Sequence, residues 1–328
     1  MADSHGSVTV SAQLPGEVGS EHPSVPSSER EVNWIGLLHL SVVYVVWGST
    51  YLAIRVAVRE GSGFPPFTMA GLRVLVGGGL LLLWSAGSRR RVRLSRREIA
   101  ILGASGLLLW LGGNGLVTWA EQRAHSGYAA LLIAAVPIWV ALIEAVLDRK
   151  VPSGLLIGSL LIGFAGIVVL SLPVLVSRVT ADLWSLIAML LAGFSWGCGT
   201  VLQTRKPVAL AARVSSGYQQ VFAGMGFLLV ALLIGEPRPD PIPEAWLAWG
   251  YLVIFGSVFA FTSYVQALRL LPINVATTNA YVNPVIAVIL GWLILGEPVT
   301  VWTLAGAALV LLGVAGIFRS RYSGTSTG

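Results

Sequence analysis

The stretch FPPFTMAGLRVLVGGGLLLLW, Phe64 to Trp84, is long enough to cross a bilayer and contains a single charged residue, Arg73. A transmembrane helix needs about 20 mostly apolar residues, because the hydrocarbon layer is roughly 30 Å thick and a helix rises about 1.5 Å per residue. A guanidinium inside such a span costs at least a few kcal/mol. The stretch therefore indicates a membrane protein in which Arg73 must have a specific environment.

The composition of the whole chain agrees with this stretch. Of its 328 residues, 55% are hydrophobic and 11% are charged, whereas about 25% are charged in soluble domains. Ten apolar runs are long enough to be spans, at about 34–54, 66–86, 99–119, 127–147, 153–173, 182–203, 214–234, 245–267, 274–295 and 301–318. The sequence predicts an all-α polytopic membrane protein with ten transmembrane helices and no room for a soluble catalytic domain.

The two ends of the chain are polar. Residues 1–33 are rich in Ser, Pro, Gly and Glu and lack the pattern of a signal peptide, so we expect a disordered tail. An even number of spans places both termini on one side of the membrane. With the termini in the cytoplasm, 15 Lys and Arg residues lie on that side and five on the other, which is a positive-inside bias. We therefore expect a protein of the cytoplasmic membrane with a cytoplasmic N-terminal tail and a cytoplasmic C-terminal tail over 319–328.

An internal repeat relates the two halves of the chain. Three pairs of similar segments recur at about the same separation: WGST at 47–50 and WGCGT at 196–200, YAALLIAAVPIWVAL at 128–142 and VATTNAYVNPVIAVI at 275–289, and GFAGI at 163–167 and GVAGI at 313–317. The common order predicts duplication of a five-span unit, with repeats over 34–173 and 182–318. Because five is odd, the two copies must have opposite orientations, and such inverted pairs place a substrate site near the midplane.

Several segments also carry a family resemblance. They are VVWGSTYLAIRVAV and PPFTMAGLRVLVGGGLLLL in the first half, and YVQALRLLPINVATTNAYVNPVIAVILGWLILGEPVT and AGAALVLLGVAGI in the second. Over roughly 34–318 the chain resembles the EamA-type proteins of the drug/metabolite transporter superfamily. The resemblance implies ten spans, two inverted repeats and a small-molecule carrier, often an exporter, without implying a substrate. The first-half segment LDRKVP at 147–152 departs from the LGEP pattern found at 295–298.

Polar side chains within the spans define the candidate substrate site, because such side chains tend to face the interior or a cavity. The candidates are Trp47, Ser49, Thr50, Tyr51, Arg73, Asn114, Thr118, Trp196, Tyr264, Asn279 and Asn283. The alternatives are interfacial anchoring for the aromatic rings and hydrogen bonding within the same helix for the hydroxyl groups. Pro137 and Pro284 are nearly central in their spans and are hinge candidates, with a static kink as the alternative.

Three interpretations of Arg73 remain open. It can snorkel to the outer interface, it can bind backbone carbonyls or a partner such as Glu121, or it can face the cavity and bind anionic substrate groups. The carboxylates Glu121, Glu144 and Glu297 lie at span ends. Facilitated diffusion, exchange and coupling at an end carboxylate are therefore as compatible with the sequence as a central proton relay.

Secondary transport is the function that these features favour, as an exporter of small organic metabolites or drugs that works by alternating access. We expect a small-molecule substrate and the lipid bilayer as partners and no nucleic acid, and a homodimer with a second copy of the chain stays open. A single cysteine, Cys198, and four scattered histidines predict no metal site, and no cofactor or enzymatic activity is expected. A lipid flippase is the alternative, and an intramembrane enzyme is less favoured because the spans contain no HExxH motif and no internal aspartate.

Overall fold

The computed structural model describes residues 33–122, 132–176, 183–295 and 299–322, and these residues form helices without any strand. The long helices are α1 (Trp34–Val58), α2 (Pro66–Gly87), α3 (Arg96–Ala120), α4 (Val136–Asp148), α5 (Gly154–Val176), α6 (Leu183–Arg205), α7 (Ala212–Leu233), α8 (Pro243–Leu270), α9 (Asn279–Leu295) and α10 (Val301–Tyr322). A one-turn helix, Ile273–Ala276, precedes α9. The predicted tail, apart from residue 33, lies outside the described residues.

Seven of these helices are long and apolar enough to cross a membrane by length and composition alone: α1, α2, α3, α6, α7, α8 and α10. This confirms the predicted all-α membrane fold for the described part of the chain. The predicted spans 127–147, 153–173 and 274–295 coincide with the shorter or partly described helices α4, α5 and α9. The count of ten spans therefore stays a prediction.

Side-chain acceptors satisfy the first backbone N–H groups of α1 and α2. The Asn33 side chain accepts a hydrogen bond from the backbone N–H of Gly36 at 2.9 Å and caps α1. At the start of α2, the Glu236 carboxylate accepts hydrogen bonds from the backbone N–H groups of Phe67 and Thr68, at 2.9 and 2.7 Å. These bonds satisfy donors that a helix leaves unpaired, and the carboxylate complements the positive end of the helix dipole. The loop before α8 is thereby attached to the end of α2.

Two helix pairs pack closely through glycines and run antiparallel. In the α2–α7 pair, a methyl group built on Gly78 would lie 2.7 Å from the carbonyl oxygen of Gly217, and one built on Gly224 would lie 3.3 Å from that of Gly71. In the α5–α10 pair, Gly313 faces Gly163 so closely that a methyl group would lie 2.5 Å from the Gly163 backbone nitrogen. Small residues allow this approach of backbones, which is how membrane helices associate.

The remaining contacts form a matching pattern. Helix α1 packs against α8 and α9, while α6 packs against α3 and α4. Helix α2 also contacts the middle of α8, and α7 also contacts α3. If each helix is replaced by the one five positions away, so that α1 becomes α6 and α8 becomes α3, each of these contacts becomes another of them.

Two π-helical segments interrupt α3 and α8, at Leu107–Gly115 and Leu252–Ala260. Such widened turns often occur at functional sites. Gly113 of the first segment lies against the Trp196 ring, where a methyl group would be 2.8 Å from the ring carbon Cε3. In the second segment, the Gly256 carbonyl accepts a hydrogen bond from Trp47 Nε1 at 3.3 Å. Each segment thus contacts one of the two tryptophans that the sequence repeat aligns.

The two prolines proposed as hinges have different surroundings. Pro284 lies inside α9, as expected. Pro137 does not lie in the middle of a helix: the chain turns at residues 134–135, and Pro137 is in the first turn of α4. This corrects the prediction of a central kink. Proline lacks a backbone N–H, and in the first turn of a helix that N–H would have no partner, so no hydrogen bond is broken. A hinge role for either residue stays a prediction.

Candidate substrate-binding site

A cavity of about 70 Å³ lies between helices from both halves of the chain. Eight of the eleven sequence-predicted candidates line it: Trp47, Thr50, Tyr51, Arg73, Asn114, Trp196, Asn279 and Asn283. The other lining residues are Ile54, Trp110, Gly113, Val117, Ile133, Val136, Ala192 and Ala280. One water needs roughly 10–15 Å³ of such space, so this conformation holds a few waters and must widen to admit an organic molecule.

Arg73 is the charged residue of the cavity, and its side chain is fixed on several sides. The residue is 2% exposed, and its Nε donates a hydrogen bond to Ser257 Oγ at 3.0 Å. The guanidinium carbon lies 5.2 Å from the centre of the Trp110 ring, which is a cation–π distance. A methyl group on Gly256 would lie 2.8 Å from Nη2, so the guanidinium also lies against the backbone of α8. Nη1 has no hydrogen-bond partner among the described residues.

This geometry narrows the three interpretations of Arg73. Snorkelling requires an exposed guanidinium, and the guanidinium is buried, so that interpretation is wrong for this conformation. Arg73 does join two helices, but its partner is Ser257 of α8 and not the suggested Glu121. Contact with an anionic substrate group stays a proposal. The unpaired Nη1 is a hydrogen-bond donor for such a group.

The cavity also contains unpaired hydrogen-bond acceptors. The Oδ1 atoms of Asn114 and Asn283 are buried and accept no hydrogen bond from the described residues. Asn279 lines the cavity one helical turn before Asn283 and is 7% exposed. Leaving a buried polar atom unpaired costs about 1–3 kcal/mol, so such atoms commonly mark the position of water or a ligand. The cavity therefore offers one cationic donor and two amide acceptors within largely apolar walls.

Three aromatic side chains, Trp47, Trp196 and Tyr264, form an aromatic cluster beside the cavity. The Trp47 ring centre is 5.3 Å from that of Trp196 and 5.1 Å from that of Tyr264. The Tyr264 hydroxyl accepts a hydrogen bond from Trp196 Nε1 at 3.1 Å and lies 2.7 Å from the Thr200 hydroxyl. Tyr264 does not line the cavity. It holds in place the two tryptophans that do.

Two other candidates bond within their own helices, as the alternative interpretation predicts. Ser49 Oγ donates to the Val46 carbonyl at 2.7 Å and contacts the Tyr251 hydroxyl at 2.6 Å. Thr118 Oγ1 donates to the Asn114 carbonyl at 2.8 Å. Neither residue lines the cavity.

The sequence analysis did not select Trp110, which the structure places at the site, and it did not predict the contact that Ser257 makes there. Trp110 lies in the middle of α3, far from both span ends. That position is itself a signal, because an interfacial anchor lies near a span end. Ser257 is a polar residue within a span, but nothing in the sequence indicates that it contacts Arg73.

An ion-pair cluster joins α4 to α6 away from the cavity. Arg205 Nη2 lies 2.6 Å from Asp148 Oδ2 and 3.7 Å from Glu144 Oε1. The hydrogen bond from the Arg205 guanidinium lowers the pKa of the Asp148 carboxyl below its ordinary value. The described residues contain no group of three or more His, Cys, Asp or Glu side chains that could hold a metal ion.

Comparison with known proteins identifies the family. The model of the EamA-like transporter family matches residues 34–172 and, a second time, residues 183–319. The chain belongs to the EamA-like transporter family. It is a multi-pass membrane protein, and its family and the names of its relatives indicate a transporter rather than an enzyme.

Relatives of this EamA-like transporter come from several bacteria. The uncharacterized inner membrane transporter YedA of Escherichia coli is 32% identical over 286 residues, which cover 86% of this chain and 90% of YedA. The uncharacterized transporter YoaV of Bacillus subtilis is 25% identical over 85% of this chain and 94% of its own. A probable terminal-alkyne amino-acid exporter of Streptantibioticus cattleyicolor is 27% identical over 85% of this chain and 92% of its own.

A solved structure shares the fold. One protein of known crystal structure superposes with a TM-score of 0.71 at 20% identity, over 87% of this chain and 96% of its own. At this identity the likeness shows the fold alone.

Proposed function

We propose that this EamA-like protein is a secondary transporter that exports small organic molecules across the cytoplasmic membrane by alternating access. The observation that carries the proposal is the cavity between spanning helices, in which a buried arginine and two amides keep unpaired polar atoms. Polar and charged groups at such depth are costly and mark substrate pathways. Family membership supports transport, and the amino-acid exporter among the relatives supports amino acids as the first substrate class to examine.

The proposed architecture is ten spans in two inverted five-span repeats. The family model matches the chain twice, as a duplication requires. Helices α2 and α7, which hold the same position in the two repeats, run antiparallel, and so do α5 and α10. Gly163 and Gly313, which the sequence repeat aligns, contact each other directly, so the proposed two-fold axis passes between them. Rocking about such an axis exposes a central site to each side in turn.

The unpaired atoms of the cavity suit a zwitterion. An arginine Nη1–H is a donor for a carboxylate, and amide oxygens are acceptors for an ammonium group. Trp47, Trp110 and Trp196 provide apolar surface for the rest of the molecule. We therefore propose substrates that carry a carboxylate and an amino group, with α-amino acids as the simplest case.

The cytoplasmic barrier of this conformation follows from the proposed topology, with both termini in the cytoplasm. Helix α1 then runs outward and α8 runs inward, so Tyr264, close to the end of α8, lies on the cytoplasmic side of the cavity. The aromatic cluster, with ring centres about 5 Å apart, then separates the cavity from the cytoplasm. Tyr51 and Ile54 lie on the outer side of Trp47 along α1.

Counterflow in liposomes tests the proposal. Purified protein is reconstituted in liposomes loaded with an unlabelled solute, and uptake of the same radiolabelled solute is measured for a panel of amino acids, amines, carboxylic acids and drugs. Protein-free liposomes are the control, and fluorescent phospholipids are included in a parallel assay. We expect exchange of one or more amino acids without lipid movement. Flipping of the labelled lipids without exchange of any solute contradicts the proposal and favours a flippase.

A further inference from the structure

Glu121 is a buried acid that the proposed substrate site does not use. It is the first residue after α3, it is 0% exposed, and neither of its carboxylate oxygens has a hydrogen-bond partner among the described residues. It does not line the cavity, but it lies close to Tyr51, which does. Glu121 thus lies at the outer end of the cavity, beyond Tyr51, in the topology proposed above.

Arg55, a described cation close to Glu121, does not hydrogen-bond to this carboxyl group. Arg55 Nη1 donates a hydrogen bond of 3.4 Å to the backbone carbonyl of Glu121 and leaves the side-chain oxygens without one. An ionised carboxylate with a guanidinium in reach forms short, often bidentate, hydrogen bonds with it. The arrangement is the one expected of a neutral carboxyl group. The backbone carbonyl is then a stronger acceptor for the Arg55 guanidinium than the side-chain oxygens are.

Among the described groups around Glu121, Arg55 is the one whose charge favours a carboxylate there. On α1 the groups that act on it are Tyr51 and Arg55. On α2 the charged residue is Arg73, whose Nε donates to Ser257. The end of α3 packs against Ala188 and Met189 of α6, which are apolar. Taking an isolated carboxylate out of water costs so much that such a group takes up a proton instead.

We propose that Glu121 is a proton-binding site that controls the opening of the outer end of the cavity. The proposal rests on the proposed function, because only an alternating-access transporter opens this end. While the ends of α1 and α3 enclose it, the carboxyl group is neutral. When they separate, the O–H bond breaks, the proton passes to external water, and the carboxylate pairs with Arg55. Because the enclosed state holds one more proton, external acid favours closure by up to about tenfold per pH unit.

Cysteine labelling measures this opening without a transported solute. The native cysteine is removed by Cys198→Ser, and Ile54→Cys places a thiol in the outer wall of the cavity, where residue 54 is 2% exposed. Intact cells are treated with a membrane-impermeant maleimide from pH 6 to pH 8. The labelling rate is divided by that of Glu60→Cys in the same background, an exposed position in the following loop, which removes the pH dependence of the thiol reaction itself.

We expect the normalised labelling rate to rise severalfold per pH unit with Glu121 present and to become independent of pH in Glu121→Gln, whose side chain cannot lose a proton. Glu144→Gln, which alters another carboxyl group at a helix end, serves as the matched control and keeps the rise. Arg55→Gln removes the partner of the ionised form, so the rise moves to higher pH. A rate ratio that does not change with pH, or a rise that persists in Glu121→Gln, overturns the proposal.

Infrared spectroscopy of the purified protein in lipid gives a second measurement that does not depend on the folding of one variant. A protonated carboxyl stretch at pH 7 is expected in the native protein, shifted in Glu121→Asp and missing in Glu121→Gln. A spectrum without this band at pH 6 overturns the proposal. If no solute exchanges in counterflow, the proposed function fails. If exchange occurs while labelling ignores pH, the proton site alone fails.

Discussion

Replacing Arg73 by glutamine separates the two tasks that the structure assigns to this side chain. Arg73 joins α2 to α8 through its hydrogen bond to Ser257 and presents an unpaired Nη1 at the cavity. Glutamine keeps a donor for the first task and removes the charge needed for the second. We expect Arg73→Gln to fold and to bind a carboxylate-bearing substrate much more weakly.

The size of the effect follows from the contact that is lost. A hydrogen bond to a charged group contributes about 1.5–3 kcal/mol, and about 1.4 kcal/mol corresponds to a factor of ten in affinity. The half-saturating concentration of a transported amino acid should therefore rise about 10- to 150-fold. Loss of the cation–π contact with Trp110 costs a further 0.5–2 kcal/mol or so of folding stability, and removal of a buried charge offsets part of it.

The assay is counterflow in liposomes over a concentration series, with the amino acid and the matching amino alcohol, which lacks the carboxylate. The variant should lose its ability to distinguish the two compounds, because the carboxylate no longer has a cationic partner. Arg213→Gln is the matched control: Arg213 lies 4.9 Å from the centre of the Trp84 ring but does not line the cavity, and its removal should leave half-saturation within about twofold. If Arg73→Gln discriminates between acid and alcohol as the native protein does, Arg73 does not bind the carboxylate.

Three further substitutions test the packing. Gly313→Ala places a methyl group 2.5 Å from the Gly163 nitrogen and should reduce stability by about 1–3 kcal/mol in thermal unfolding. Gly158→Ala, with nothing within 4 Å, should be neutral, and equal effects of the two would contradict the close packing. Tyr264→Phe removes the contacts with Trp196 and Thr200 and should cost about 0.5–1.5 kcal/mol for each; unchanged unfolding would show that they contribute nothing. Glu236→Gln weakens the cap of α2 and should cost about 1 kcal/mol, whereas Glu244→Gln, at an exposed position in the first turn of α8, should have a smaller effect.

The extent of α2 shows what the sequence can predict about this fold. An apolar run that begins at a proline and is followed by an arginine cluster was expected over 66–86, and the helix covers Pro66–Gly87. Span length depends on the thickness of the bilayer, and a proline favours the first turn of a helix, so both features can be predicted from the sequence. The cap of α2 by Glu236 could not be, because that residue is distant in the chain. The π-helical segments of α3 and α8 could not, because they accompany the packing of Trp47 and Trp196 from other helices.

The candidate site could also be predicted in part from the sequence. The rule that polar side chains in spans face the interior selected Arg73, Asn114 and Asn283, which the structure brings to one cavity. The same rule also selected Ser49 and Thr118, whose hydroxyls bond to their own helices. Successive residues point about 100° apart around a helix, so the rotation of each helix decides which neighbours reach the cavity. That rotation depends on contacts between helices distant in the chain.

The proposed two-fold relation gives a reason to expect that the arginine can be replaced without loss of the fold. The two close glycine contacts between α2 and α7 are Gly78–Gly217 and Gly71–Gly224. If the two-fold axis exchanges Gly71 with Gly217 and Gly78 with Gly224, it turns each contact into the other. The shift is the same for both correspondences and close to that of the other repeat segments. Counting two residues further along each helix, Arg73 then corresponds to Gln219.

These two residues make equivalent contacts with different charges. Gln219 Nε2 donates to Ser105 of α3 at 2.8 Å, and Arg73 Nε donates to Ser257 of α8 at 3.0 Å. If α3 and α8 hold the same position in the two proposed repeats, a neutral amide performs in one half of the protein the interhelical task that the guanidinium performs in the other. The positive charge is therefore not needed to join the helices. Only Arg73 of this pair lines the cavity, which is where its charge has a use.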